Sequence, residues 1–109
     1  MIERTLFTPD HEAFRDSFKR FLDKEVAPFH ADWEEQGFVD RAVWNKAGEN
    51  GFLCATMPEA YGGSQADKLY SVVQMEELNR AGFTGIGFSL HSEIVAPYLL
   101  HYGTDDQKA

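Results

Sequence analysis

The sequence has little of several features that mark common protein classes. Cys54 is the one cysteine among 109 residues, so the chain forms no internal disulfide and needs no oxidising compartment. Ten Lys and Arg residues against 18 Asp and Glu residues give a net charge of −8. Because nucleic-acid affinity depends mainly on basic side chains, this balance argues against a nucleic-acid partner. Residues 1–5 lack the basic and apolar segments of a secretory signal, which favours the cytoplasm, or the mitochondrial matrix in a eukaryote.

Long apolar runs and familiar catalytic motifs are also missing. The most apolar stretch, residues 82–100, is interrupted by His91, Ser92, Glu93 and Pro97. A bilayer span needs about 20 mostly apolar residues, so we expect no transmembrane helix. The sequence has no P-loop, dinucleotide fingerprint or serine-hydrolase elbow, and its four histidines lack metal-ligand spacing. No metal site is therefore expected.

What the sequence does have is helical periodicity. Thr8-Pro9-Asp10 predicts a helix start, with Thr8 as the N-cap and Pro9 at the first helical position. An apolar face follows at helical spacing and consists of Phe14, Phe18, Phe21 and Leu22. Val26-Ala27-Pro28 is expected to end or kink this helix, because the residue before a proline avoids the α region.

Two shorter helices and a loop are predicted next. Phe29 and Trp33 share a face of a short helix that Gly37 can end. Asp40 is the expected N-cap of a third helix, which has an apolar stripe of Val43, Trp44 and Ala47 and a stop at Asn50-Gly51. Residues 52–57 form a short apolar run without a partner strand, so we predict an extended buried loop.

Two later helices carry apolar residues around their whole circumference. In the first these residues are Leu69, Tyr70, Val72, Val73, Met75, Leu78 and Ala81, and the second, residues 86–102, shows the same distribution. Such helices are normally covered on all sides, so some apolar surface is expected to face something beyond this chain. Gly103 ends the second helix, and Thr104-Asp105-Asp106-Gln107 predicts a capping box. We expect one domain over residues 1–103 and a further helix starting in 104–109, in a fragment of a longer protein.

Few side chains suggest chemistry. Cys54 has no basic sequence neighbour and is interpreted as a buried, unreactive thiol. His91 and Ser92 are adjacent on a helix, where neighbours point in different directions, so His91 is expected to be a hydrogen-bonded core or cavity-wall residue. Glu76 and Glu77 are interpreted as structural, with Glu76 paired to Arg80. A stripe of small, apolar and mildly polar residues could admit another helix or a thin apolar ligand; its members are Gly87, Phe88, His91, Ser92, Val95 and Leu99.

The sequence resembles the N-terminal helical domain of the acyl-CoA dehydrogenases over essentially its whole length. The segments that carry the resemblance, in order, are Phe14-Arg15, Phe18, Phe21, Glu25-Val26-Ala27-Pro28, residues 44–51, Pro58-Glu59-Ala60-Tyr61-Gly62-Gly63, Glu76-Glu77-Leu78, Phe88-Ser89-Leu90-His91-Ser92 and residues 102–108. The Phe88 segment, followed by Ile94-Val95, is most similar to the long-chain branch of the family. The resemblance implies an all-α, orthogonally packed helical bundle with one extended buried loop.

The resemblance also implies an activity for the parent protein. Members of the family use FAD to convert a fatty acyl-CoA to a trans-2-enoyl-CoA, pass electrons to electron-transferring flavoprotein, and usually form homotetramers. The catalytic glutamate and most FAD contacts lie in later domains, so no catalytic residue is expected here, and the fragment alone is not expected to hold FAD. Matching positions place Gly87, Phe88, His91, Ser92 and Val95 on the wall of the acyl-chain cavity.

Other functions remain open at this point. A related acyl-CoA oxidase or a flavin monooxygenase would share this domain. A stand-alone helical module, using its exposed apolar surface to bind a protein partner, is the alternative from a different functional class.

Overall fold

The computed structural model describes residues 4–83 and 85–108, and every regular element in those ranges is helical. The α-helices are α1 (Pro9–Phe21), α2 (His30–Gln36), α3 (Arg41–Glu49), α4 (Lys68–Ala81), α5 (Ala96–Tyr102) and α6 (Asp105–Lys108). Two π-helices cover Leu22–Val26 and Leu90–Val95, and a 3-10 turn covers Glu59–Tyr61. The predicted all-α class is confirmed. No helix within the described ranges is both long and apolar enough to cross a membrane.

The start of α1 is the predicted one, and it also fixes the start of α4. Thr8 Oγ1 accepts a hydrogen bond from the His11 backbone N–H, and His11 Nδ1 accepts one from the Thr8 N–H at 2.9 Å. The Nε2 atom of the buried His11 lies 3.0 Å from Asp67 Oδ1, and Asp67 accepts the Leu69 N–H as the N-cap of α4. One histidine therefore joins the N-termini of two packed helices.

Each π-helix ends two residues before a proline. The Ala27 N–H bonds to the Leu22 carbonyl at 2.8 Å, a five-residue spacing, just before Pro28. The Leu90–Val95 π-helix stands in the same relation to Pro97. A proline has no N–H and its ring collides with the carbonyl four residues earlier, so the preceding turn widens. The helix break predicted at Pro28 is therefore present as a π-helix, and a second π-helix precedes Pro97.

The core surrounds the inner face of α1 and draws on α2, α3, α4, the Leu22–Val26 π-helix and the loop after α3. The predicted face of α1 points inward, with Phe18, Phe21 and Leu22 buried and Phe14 half-buried. The ring centroid of Phe52 lies 5.0 to 5.6 Å from those of Phe14, Phe18 and Phe21, so the loop after α3 completes an aromatic cluster. Trp33 of α2 and the Val43 and Ala47 side chains of α3 belong to the same core as predicted, whereas Phe29 is exposed.

The inner face of α4 differs from the expectation, because much of it is polar. Its buried residues are Ser71, Val73, Gln74, Glu77 and Leu78. Gln74 Nε2 donates to the Phe52 carbonyl at 2.7 Å, so the buried amide is satisfied by the loop. Ala81, expected to be part of the covered apolar surface, is exposed.

The predicted Glu76–Arg80 pair is wrong. Arg15 of α1 reaches α4 and lies 2.7 Å from Glu77 and 3.5 Å from Glu76, while Arg4 lies 3.0 Å from Glu76. Arg80 instead pairs with Glu77 at 3.4 Å. Burial acts to raise the pKa of Glu76, but hydrogen bonds and charges from Arg4 and Arg15 outweigh burial and lower that pKa. The adjacent carboxylates thus share the Arg15 guanidinium.

Residues 52–57 form a loop, as predicted, but the loop is bent and not extended, since the Met57 N–H donates to the Cys54 carbonyl at 3.0 Å and Cys54 has a φ of +54°. Phe52 and Ala55 are buried, and the Ala55 and Met57 carbonyls accept the Ala66 and Gln65 N–H groups at 2.8 and 2.9 Å. The following segment contains the short 3-10 turn and closes tightly, because a Cβ on Gly63 would collide with the Met57 carbonyl.

The last turn of the described chain confirms the capping box predicted at Thr104. Thr104 N donates to Gln107 Oε1 at 2.9 Å, and Gln107 N donates to Thr104 Oγ1 at 3.2 Å. A helix therefore starts after Thr104, as predicted. The division into a domain of residues 1–103 and a new helix in 104–109 stays a prediction.

Candidate functional site

The Leu90–Val95 π-helix and α5 present a continuous apolar surface to solvent. The exposed side chains are Leu90, Ile94, Val95, Tyr98, Leu99 and Tyr102, with exposed fractions of 43 to 78%. No residue of α5 is buried. The expectation that the late apolar helix is left partly uncovered by this chain is confirmed, and an exposed patch of this kind marks a binding or docking surface.

The five residues predicted for a cavity wall do not share one face. Phe88 is 2% exposed and its ring packs 4.8 Å from Trp44, and Ser92 is 3% exposed. Gly87 is half-buried beside the Trp44 ring, whereas His91 and Val95 are exposed. These five residues were predicted from matching positions in the family, and such a match does not distinguish buried side chains from exposed ones.

His91, Ser92 and Cys54 meet at the inner edge of this surface. The Cys54 backbone N–H donates to Ser92 Oγ at 3.0 Å. His91 Nδ1 lies 3.2 Å from Ser92 Oγ and 3.8 Å from Cys54 Sγ. The expectation that the adjacent His91 and Ser92 side chains point apart is wrong. His91 has hydrogen-bonding neighbours, as expected, but it is exposed and not in the core, and its place on a cavity wall stays a prediction. These contacts join residues 37 and 38 positions apart, so no local sequence signal predicted them.

Cys54 was interpreted as a buried thiol without a basic neighbour in the sequence. It is half-buried in the structure, and His91 is a basic neighbour in space. Burial raises the pKa of the Cys54 thiol, and the hydrogen bond with Ser92 only partly opposes that increase. The thiol therefore stays protonated at neutral pH, which agrees with an unreactive side chain.

Cys54 also adopts a left-handed backbone conformation, with φ of +54°. Side chains other than glycine are strained there by about 1–2 kcal/mol. We expect Cys54→Gly to be more stable than Cys54→Ala by about 1 kcal/mol, which is the reverse of the usual stability order of glycine and alanine variants. Urea unfolding measures the two free energies of unfolding.

Thr56 provides the matched control, because it lies in the same loop without a positive φ. Thr56→Ala is expected to be more stable than Thr56→Gly. If alanine is the more stable residue at both positions, the Cys54 backbone is not strained.

A groove of about 140 Å³ opens between the loop and α5. Its lining is mostly apolar and consists of Cys54, Met57, Pro58, Tyr61, Ala96, Leu99, Leu100, Gln107 and Lys108. None of the five predicted wall residues lines this groove. Over the described residues, no three His, Cys, Asp or Glu side chains are placed to hold a metal ion.

Comparison with known proteins identifies the class. The family model described as "Acyl-CoA dehydrogenase, N-terminal domain" matches residues 8–109. The chain therefore belongs to the acyl-CoA dehydrogenase family, as the resemblance indicated.

The similarity to individual proteins extends over nearly the whole chain. It is 44% identical to the long-chain specific acyl-CoA dehydrogenase, mitochondrial, of Rattus norvegicus over 95% of this chain and 24% of the rat protein. The crystal structure of an acyl-CoA dehydrogenase from Geobacillus kaustophilus is 46% identical with a TM-score of 0.90, over 97% of this chain and 28% of that one. An acyl-CoA dehydrogenase from Bacillus anthracis, solved in complex with FAD, is 33% identical with a TM-score of 0.82, over 98% of this chain and 19% of that one. The chain thus spans about a quarter of the length of the rat protein and of its mouse counterpart.

Proposed function

We propose that the chain is the N-terminal helical domain of an FAD-dependent dehydrogenase that oxidises a fatty acyl-CoA to a trans-2-enoyl-CoA. The observation that carries this proposal is the 46% identity and TM-score of 0.90 to the Geobacillus kaustophilus enzyme over 97% of the chain. Long-chain substrates are favoured because the rat and mouse relatives, at 44 and 45% identity, are long-chain specific enzymes. Residues 1–103 form the domain, and residues 104–109 start the next helix.

The chemistry is divided between this domain and the rest of the protein. When bound to the parent protein, FAD would supply the acceptor for the hydride that leaves the acyl β-carbon. We assign no carboxylate of this chain as the base that removes the α-proton, and Glu76 and Glu77 are held in ion pairs with Arg4, Arg15 and Arg80. No residue of this chain is assigned to the flavin.

The contribution of this domain is one wall of the acyl-chain cavity, built from Gly87, Phe88, His91, Ser92 and Val95. His91 and Val95 are exposed and would contact the acyl chain of the substrate directly, and Gly87 leaves room beside them. Phe88 and Ser92 are buried and support the wall from behind. Burial of each acyl methylene contributes about 0.8 kcal/mol, so this wall acts on the choice of chain length.

Substitution of Val95 tests the wall in the whole protein. We expect Val95→Phe to lower kcat/KM for the longest acyl-CoA substrates by about tenfold, since a larger side chain displaces two or more methylenes. Short-chain substrates should be affected much less. The measurement is a kcat/KM profile from butanoyl- to eicosanoyl-CoA.

Leu6→Phe is the matched control, because Leu6 is 61% exposed and lies in the segment before α1. Its profile should equal that of the parent protein. A Val95→Phe profile that also equals the parent's would remove Val95 from the substrate surface.

The electron acceptor and the assembly follow from the same proposal. We propose electron-transferring flavoprotein as the acceptor, a homotetramer as the assembly, and the mitochondrial matrix or the cytoplasm as the location, depending on the source. Reduction by acyl-CoA followed by mixing with air is the decisive experiment. A dehydrogenase reoxidises slowly in air and rapidly with the flavoprotein, whereas an oxidase or a flavin monooxygenase reacts rapidly with oxygen. A protein that no acyl-CoA reduces would overturn the proposal.

A further inference from the structure

A polar side chain stands among the exposed apolar residues of the Leu90–Val95 π-helix. His91 is exposed beside Leu90, Ile94 and Val95, and the last of these lies about one turn further along the same helix. The His91 ring is fixed in place by contacts with residues of the domain interior. The Trp44 ring lies 5.5 Å from the His91 ring, and the contacts to Ser92 and Cys54 engage Nδ1 alone.

The contacts of Ser92 indicate which His91 nitrogen carries the proton. Ser92 Oγ already accepts the Cys54 N–H, and its own O–H needs an acceptor. His91 Nδ1 at 3.2 Å and the Cys54 sulfur are the available groups, and a thiol sulfur is the weaker acceptor. The Cys54 S–H, 3.8 Å from the same nitrogen, is a second weak donor. Nδ1 is therefore the acceptor of this network.

An Nδ1 that accepts leaves the proton of a neutral imidazole on Nε2. Among the described residues, no hydrogen-bond partner contacts His91 Nε2. A series of hydrogen bonds thus runs from the Cys54 N–H through the Ser92 hydroxyl to His91 Nδ1. It leaves the His91 Nε2–H directed away from the core, on the surface formed by Leu90, Ile94 and Val95.

We propose that His91 Nε2–H is a specificity-determining donor for acyl chains that carry an oxygen atom, and that Ser92 is the positioning residue that holds His91 in this form. The inference rests on the proposed function, since it places the acyl chain on this surface. Water is excluded once an acyl chain is bound, so an unpaired donor there costs binding energy. A hydroxyl or carbonyl oxygen on the acyl chain satisfies that donor.

The tautomer is tested first, on the chain itself. Nitrogen-15 spectra of the histidine rings near pH 8.5, above the usual titration range of histidine, distinguish the two neutral forms. We expect the Nε2–H form for His91, a loss of that preference in Ser92→Ala, and its recovery in Ser92→Thr, which restores the hydroxyl.

Ser89→Ala is the control on the same helix, because Ser89 is outside this network, and it should leave the His91 spectrum unchanged. An Nδ1–H form in the parent chain overturns the inference. So does a Ser92→Ala spectrum identical to that of the parent.

Substrate selection is tested in the whole protein with palmitoyl-CoA and a set of hydroxypalmitoyl-CoA isomers that differ in the position of the hydroxyl. The measured quantity is the ratio of kcat/KM for each isomer to that for palmitoyl-CoA. We expect at least one isomer whose ratio falls about three- to tenfold in His91→Phe and in Ser92→Ala, the range that one net hydrogen bond supplies.

His101→Phe is the matched control, since His101 is an exposed histidine further along the same helical stretch, and it should keep the ratio of the parent. If palmitoyl-CoA is oxidised and no isomer's ratio changes in His91→Phe, the inference is wrong while the proposed function stands. If neither class of acyl-CoA reduces the protein, the proposed function itself fails.

Discussion

Glu77→Ala is expected to lower the free energy of unfolding by about 3 kcal/mol, because it leaves the buried Arg15 guanidinium without its nearest counter-charge. Glu77 is 3% exposed and Arg15 is 7% exposed, and their closest atoms lie 2.7 Å apart. Glu12 and Glu76 still contact Arg15, so the loss stays at the lower end of the range for a broken buried pair. Urea unfolding followed by circular dichroism measures the change.

The neighbouring carboxylate supplies the control for this prediction. Glu76 pairs mainly with the exposed Arg4, and exposed ion pairs contribute little, so Glu76→Ala should cost under about 1 kcal/mol. A double substitution of Arg15→Met with Glu77→Leu should recover most of the stability, since a buried ion pair is replaced by apolar packing. Equal losses for Glu76→Ala and Glu77→Ala would show that the Arg15 pair is not desolvated in solution.

Phe18→Ala is expected to lower the free energy of unfolding by about 4 kcal/mol, through lost burial and the cavity that remains. Phe18 has no exposed surface, and its ring centroid lies 5.0 to 6.5 Å from those of Phe14, Phe21 and Phe52. The side chain therefore joins α1 to the loop that leads toward Cys54. Thermal and urea unfolding should both report the loss.

Phe29→Ala is the comparison for the same chemical change at an exposed site. Phe29 is 44% exposed and its ring stacks 5.9 Å from that of Trp33, so the expected loss is about 1 kcal/mol. If both substitutions cost the same, the cluster around Phe18 is not the packed centre of the fold.

The helix ends were predictable because their signals are local. Thr8 and Thr104 each bond to backbone and side-chain groups three residues away, so a four-residue motif contains the whole interaction. Gly37 ends α2 with a φ of +90°, which glycine adopts without strain. Regular α-helix also gives way to a π-helix before Pro28 and before Pro97.

The ion pairs and the site were less predictable because their partners are distant in sequence. The Arg15–Glu77 bond joins residues 62 positions apart, so the local pattern favoured the wrong Glu76–Arg80 pair. The buried polar residues Ser71, Gln74 and Glu77 were missed for the same reason, since only the opposite helix and the loop satisfy two of them.

The sequence placed the five predicted wall residues on the late helical stretch but did not show which of them are buried and which are exposed. Phe88 and Ser92 are buried, whereas His91 and Val95 are exposed. Their role in holding an acyl chain stays a prediction. The network from Cys54 to His91 has no sequence signal, because it depends on how the loop of residues 52–57 packs against the π-helix.

By itself, the sequence determined the helical class, the places where helices begin and bend, and the family. Hydrophobic periodicity, capping motifs and prolines act over a few residues, and a family pattern is carried by the order of such segments. Only the tertiary structure decided which charges are buried together, which side of the late helix is exposed and which His91 nitrogen is engaged. Those outcomes depend on distances between segments that only packing brings together.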